Sequence, residues 1–210
     1  RQSCFTVMEL RMQTSKVLLI LGILSLMIST ISAASSVHPV RLQWGIPEEA
    51  SQYFANLPRS VEGAEADLAG SRLSLRMHPG DTAVIPLYAV SDAELKGVRY
   101  LGTGIPSNSV LHWLEPFSGQ WIALEQIPEE EVLVVIREGE DTYDIDMGPP
   151  DEGAVFSDGI PRFIWFALTP ETPGSWTIEI YGYQGREDHR VTTLLECTLE
   201  VAPEEKARRE

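Results

Sequence analysis

The sequence predicts an all-β fold, an antiparallel two-sheet sandwich preceded by a short N-terminal helix and a signal segment. About nine short alternating or apolar runs follow one another between Gly and Pro turns. Helical periodicity is almost missing, and two of the runs, Val132–Ile136 and Phe163–Ala167, are apolar at every position, as strands covered on both faces must be. A chain of 210 residues that is 43% hydrophobic and has five Trp can fill such a core. Its 31 acidic residues against 16 basic ones, a net charge of -15, exclude nucleic acid as a partner, because phosphates must be met by Lys and Arg.

The chain divides into upstream residues and signal peptide (1–34), an N-terminal extension with a short helix and linker (35–71), the sandwich (72–202) and a polar tail (203–210). Translation is expected to start at Met12. Lys16, the apolar run Val17–Ile31 and the small residues Ser32-Ala33-Ala34-Ser35 follow in the order of a secretory signal. As an uncleaved anchor, the run would reach only roughly 22 Å as a helix, against a hydrocarbon core of roughly 30 Å. The expected location is therefore secreted or cell-surface, with membrane attachment only through this segment if it is retained. Cys4 lies ahead of the cleavage point, so the mature chain keeps Cys197 alone and forms no internal disulfide.

Val40–Trp44 has the length of a short strand, and Pro47-Glu48-Glu49-Ala50 places proline and acids as a first helical turn does, predicting two or three turns to Leu57. Arg59–Ser71 reads as linker. From Arg72 the period is two: Leu73, Leu75 and Met77 alternate with Arg72, Ser74 and Arg76. The turn His78–Asp81 leads to a strand at Thr82–Val90, where Pro86 predicts an edge or a bulge. Lys96–Leu101, Val110–Leu114 and Trp121–Leu124 continue the series, and the two fully apolar runs are expected at the centres of the sheets. Trp176–Tyr183 puts Trp176, Ile178 and Ile180 on one face, with Glu179, Tyr181 and Tyr183 on the other; Val191–Val201 puts Leu195, Cys197, Leu199 and Val201 on one face.

Two pieces carry a resemblance. Leu75–Leu87 (LRMHPGDTAVIPL) and Thr169–Ile180 (TPETPGSWTIEI) resemble the opening and closing strands of immunoglobulin-like modules in secreted archaeal and bacterial surface proteins. In those modules a Pro-Gly-Asp turn joins the first two strands and a Pro-Gly turn introduces the penultimate one. The resemblance spans residues 72 to 202, departs from the pattern at the acidic insertion Glu138–Asp158, and implies an immunoglobulin-like sandwich used for adhesion or spacing, not for chemistry.

Within that insertion, Asp144 and Asp146 precede a turn and form the candidate metal site, calcium being the cation that oxygen-rich loops take. The glycine and glutamate of a helix-loop-helix calcium loop are absent, and the alternation of Tyr143, Ile145 and Met147 with the two aspartates describes a strand edge with a solvated acidic face equally well. Tyr181 and Tyr183, with Glu179, form the candidate binding face for a protein partner or a glycan, and Trp113 and Trp121 are candidates to join it. Cys197 and His189 lack the following His and Met of a blue-copper site, and no Gly-x-Ser-x-Gly is present. The expectation is a non-enzymatic extracellular or cell-surface module for adhesion, assembly or envelope structure, with no cofactor. A calcium- or glycan-binding module is the alternative, and a secreted enzyme is third.

Protein secreted by its host is expected to begin near Ala34 or Ser35 by intact mass. Recovery from membranes alone, with Leu18–Ile31 retained, would establish the anchor instead.

Overall fold

The computed structural model describes residues 38–53, 57–115, 119–127, 133–148, 155–156 and 160–203. The signal segment, Asp151, Glu152 and Asp158, and all but Pro203 of the polar tail lie outside the described residues. In chain order the strands are β1 (Val40–Trp44), β2 (Glu65–Ala69), β3 (Arg72–Met77), β4 (Ala83–Ser91), β5 (Leu95–Lys96), β6 (Val98–Pro106), β7 (Ser109–Glu115) and β8 (Gln120–Ala123). They continue as β9 (Leu133–Glu138), β10 (Thr142–Gly148), β11 (Val155–Phe156), β12 (Arg162–Pro170), β13 (Gly174–Gln184), β14 (Arg186–Arg190) and β15 (Leu195–Val201). One sheet runs β1-β4-β12-β7-β8; the other runs β2-β3-β15-β13-β6-β10-β9, with β14 folded back on β13. No helix among the described residues is long and apolar enough to cross a membrane.

Alternation explains the core. Leu73, Leu75 and Met77 of β3 and Leu195, Cys197, Leu199 and Val201 of β15 are each no more than 2% exposed, while the residues between them face outward. Val40, Leu42, Leu87, Ile145, Leu168 and Ile178 pack with them in one cluster. A second cluster lies on the outer face of the smaller sheet, where Ile46 and Ala50 cover Tyr88, Val90, Leu114 and Trp165. Trp165 is 0% exposed, donates its indole N–H to Pro58 O at 2.8 Å, and has Phe163 stacked on it at 6.0 Å. That covering segment is why β12 can be apolar on both faces and sit in the middle of its sheet.

Several expectations are corrected. The short helix is a 3-10 helix at Glu48–Tyr53, not two or three α-helical turns to Leu57. The strand expected at Val40–Trp44 is β1, which pairs with β4 from Val40↔Ser91 to Trp44↔Leu87, and the stretch read as linker holds β2, which pairs with β3. All five β2 residues are exposed, so no apolar alternation marked the strand. The sandwich is not wholly antiparallel, since β15 runs parallel to β3.

Pro86 lies in an interior strand rather than at an edge. Its carbonyl accepts the Gly45 N–H at 2.8 Å, so its nitrogen faces the side where β1 ends, and the one bond it cannot donate falls just beyond the last β1 residue, Trp44. The run ending at Ile136 is the largest correction. As β9 it lies at the end of its sheet, with Val135 38% and Ile136 42% exposed.

Cys197 is 1% exposed, and burial pushes its thiol up to about 12. It is expected to react slowly with alkylating reagents until the protein unfolds, and Cys197→Ser to cost about 1 to 3 kcal/mol by burying a hydroxyl among apolar groups. Because the folded thiol ionises later than the unfolded one, its contribution is complete below the ordinary thiol range and declines as pH rises from 9.0 towards about 12. Urea titrations of wild type and Cys197→Ala across alkaline pH should converge if this holds.

Candidate functional site

The register of three strands brings the two predicted sites together. Tyr181 of β13 is opposite Leu101 of β6, which is opposite Asp146 of β10; Tyr183 is opposite Arg99, and Glu179 opposite Thr103. Directly opposed residues share a face, so the aspartates and the tyrosines all point away from the core, on the outer surface of the larger sheet. Arg137 joins them from β9, opposite Asp144.

Asp146 is the centre of this face. It is 5% exposed overall, in contrast to the solvated acidic edge that the alternation suggests, because β10 lies between β6 and β9. Its Oδ1 accepts Arg99 Nε at 2.9 Å; its Oδ2 accepts the Tyr183 hydroxyl at 2.8 Å and Arg137 Nη2 at 3.4 Å. Arg99 Nε also donates to the Tyr183 hydroxyl at 3.1 Å, and Arg137 reaches Glu187 of β14. A buried carboxylate is costly without such partners, and here two guanidinium groups and a phenol supply them. Burial alone would lower the Arg99 pKa, but the hydrogen bond to Asp146 and its charge, with Tyr183 adding to them, raise it on balance. Tyr183 is raised by burial first and by its hydrogen bond to Asp146 second.

Asp144 has a different task. A register shift in β10 between Tyr143 and Ile145 faces Gly104, whose φ of +73° would strain any side chain, and Asp144 Oδ1 accepts the Gly104 N–H at 3.1 Å. The Tyr181 hydroxyl is raised by burial, then by Glu187, and also by Glu179 and Asp144, with Arg190 opposing. Glu179 and Tyr181 are half-buried, whereas Tyr183 is 4% exposed and holds Asp146. Trp113 packs against the inner cluster, and Trp121 is 41% exposed on β8 of the other sheet, so neither extends this face. Among the described residues no three of His, Cys, Asp and Glu are grouped to hold a metal ion.

Sequence reasoning did not single out Arg99 or Arg137. The available signal was a cation directly beside Val98, Tyr100 and Leu101, a position where a half-buried strand must find it a counter-charge. Nor did it find the cleft between the ends of the two sheets. This cleft, of about 480 Å³, runs between β7–β8 and β9–β10, with Val110, Leu111, Leu124, Ile136 and Tyr143 as its apolar wall and Glu138 on its polar side. Beyond β9 no described strand pairs.

Asp146→Ala is expected to lower the unfolding free energy by about 3 kcal/mol, because Arg99 then loses its counter-charge in a largely buried position. Glu187→Ala, which breaks an exposed pair, should cost far less. Denaturant midpoints check both; equal losses would mean that the buried carboxylate is not the stabilising member.

No protein-family model matches the chain, and no curated protein does. Similar solved structures include a cohesin from Clostridium thermocellum in complex with a dockerin (11% identity, 78% of this chain and 99% of that one, TM-score 0.38). A non-cellulosomal cohesin from Archaeoglobus fulgidus matches at 16% identity over 64% of this chain and 89% of its own, TM-score 0.33. The enzyme AvmM, which catalyses macrocyclization in alchivemycin A biosynthesis, matches at 9% identity over 70% and 93%, TM-score 0.40. At these scores binding modules and an enzyme stand equally near, and none of them assigns a role.

Proposed function

We propose that this chain is a non-enzymatic extracellular or cell-surface module that enters an assembly by receiving a partner along the outer edge of β9, beside which no described strand pairs. One observation carries the reading: β9 has the composition of a central strand and the position of an edge strand. Val134-Val135-Ile136 is apolar on both faces, yet Val135 and Ile136 are 38% and 42% exposed. Proteins that leave such an edge bare in solution usually blunt it with charge, proline or a bulge, because its unpaired N–H and C=O groups recruit strands. Here β9 carries none of these before Arg137.

The opposite edge of the same sheet shows the contrast. β2 reads Glu-Ala-Asp-Leu-Ala, with two acids in five residues and a single large apolar side chain, Leu68. The secretory order of the N-terminal sequence supports a location outside the cell, where assembly partners would meet the module. Both Asp146 oxygens are engaged by Arg99, Arg137 and Tyr183, and Asp144 by Gly104, which favours a protein partner over calcium. Burial of Tyr183 leaves Tyr181 as the one half-open ring of the pair, less than a stacked sugar platform needs.

The test is capture from the envelope and culture proteins of the source organism. The baits are the full chain, a Val135→Lys/Ile136→Lys variant, and Leu68→Lys as a control at the other edge. A partner held by wild type and by Leu68→Lys but lost by the double variant is the expected result. Equal recovery by all three would overturn the reading.

A further inference from the structure

We infer that the partner strand is cationic: extended, apolar where it lies beside Val135 and Ile136, and carrying Lys or Arg where it passes Glu138. This deepens the proposed use of the β9 edge and rests on it. The hydrogen-bond pattern defines what the edge offers. Gly139 N–H donates to Thr142 O at 2.7 Å, closing the β9–β10 turn with a bonded pair. Bonded and non-bonded pairs alternate along an antiparallel ladder, so Glu138, Ile136 and Val134, opposite Tyr143, Ile145 and Met147, turn their N–H and C=O groups outward. An added strand would bond to those three residues.

The side chains specify the rest. Ile136 and Glu138 line the cleft with Tyr143, Leu111 and Val110, so every second side chain of an added strand enters a space that is apolar beside Ile136 and polar towards Ser107, Thr142 and the Glu138 carboxylate. On the outer face Val135 presents apolar surface, and Arg137 is committed to Asp146 and Glu187, leaving little pull on an acidic partner. At the end of β9 and just past it, Glu138, Glu140 and Asp141 are all exposed, and among the described residues none has an ion pair.

Charge also decides against the simplest alternative occupant, a second copy of this chain. Each copy carries -15, so two copies repel one another on approach, and among the described residues neither edge offers the other a free cation for its Glu138. A strand with an apolar centre and cationic ends gains the same backbone bonds and apolar contact, and its charge speeds the encounter.

The probes are three synthetic nine-residue peptides titrated against the full chain: Val-rich centres bracketed by Lys, the same centres bracketed by Glu, and the Lys peptide N-methylated at alternate backbone nitrogens. The Lys peptide is expected to bind, to perturb the amides of Val134, Ile136 and Glu138, and to weaken as salt is raised. The Glu peptide and the N-methylated peptide should each bind about tenfold or more weakly, and Glu138→Gln should weaken the Lys peptide several-fold. Binding of the Glu peptide as well as the Lys peptide, or no binding of any of them, overturns the inference.

A dimer in sedimentation that Val135→Lys/Ile136→Lys dissociates would also overturn it, while leaving the β9 edge as the site of assembly. Loss of the edge itself is read separately, from capture that is indifferent to the β9 variants.

Discussion

The sandwich depends on one shared apolar row. Leu73, Leu75 and Met77 lie in register with Cys197, Leu199 and Val201 across the parallel β3–β15 ladder, and every one of these side chains is buried. With no disulfide available to a chain whose described thiol is solitary, this row has to hold by packing alone. The outward residues of the same two strands, Arg72 with Glu196 and Arg76 with Glu200, pair across the ladder in water and add little. Strength on the inner face and indifference on the outer one are the two halves of a period of two.

That period is also why parts of the fold were legible. The inward faces of β3 and β15 could be read residue by residue, since each buried side chain is two positions from the next. β2 could not, because an exposed strand has no apolar rhythm to show. The pair β12 and β9 marks the sharper limit. Both read as fully apolar runs, and only the three-dimensional neighbours separate them: Ile46 and Ala50 cover the outer face of β12, whereas β9 has β10 on one side and no described strand on the other. Local sequence reports what a strand requires and is silent on whether the same chain supplies it.

The polar face shows the same limit in electrostatic form. The sequence puts Tyr181 beside Tyr183 and Asp144 beside Asp146 by spacing, and each pair does share a face. It does not show that Arg99, 47 residues from Asp146, is the cation that takes the carboxylate out of water. In a chain so rich in acid, a single aspartate that needs a partner looks like the others that need none. The outcome is a tie from β13 through β6 and β10 to β9, made of one carboxylate, two guanidinium groups and a phenol. It steadies the strand next to the open edge without covering that edge.

The β3–β15 ladder has a consequence for how the molecule is made. Arg72 meets Glu196 across 124 positions of chain, so the strand that starts the inner row waits for nearly the last one. Contacts this remote close slowly and late. A polypeptide emerging from a ribosome therefore cannot complete this row until Leu195–Val201 is free, however early β3 has been made. The order of synthesis and the order of strands in the sheet thus run against each other, and β3 spends the making of most of the chain without its neighbour on that side.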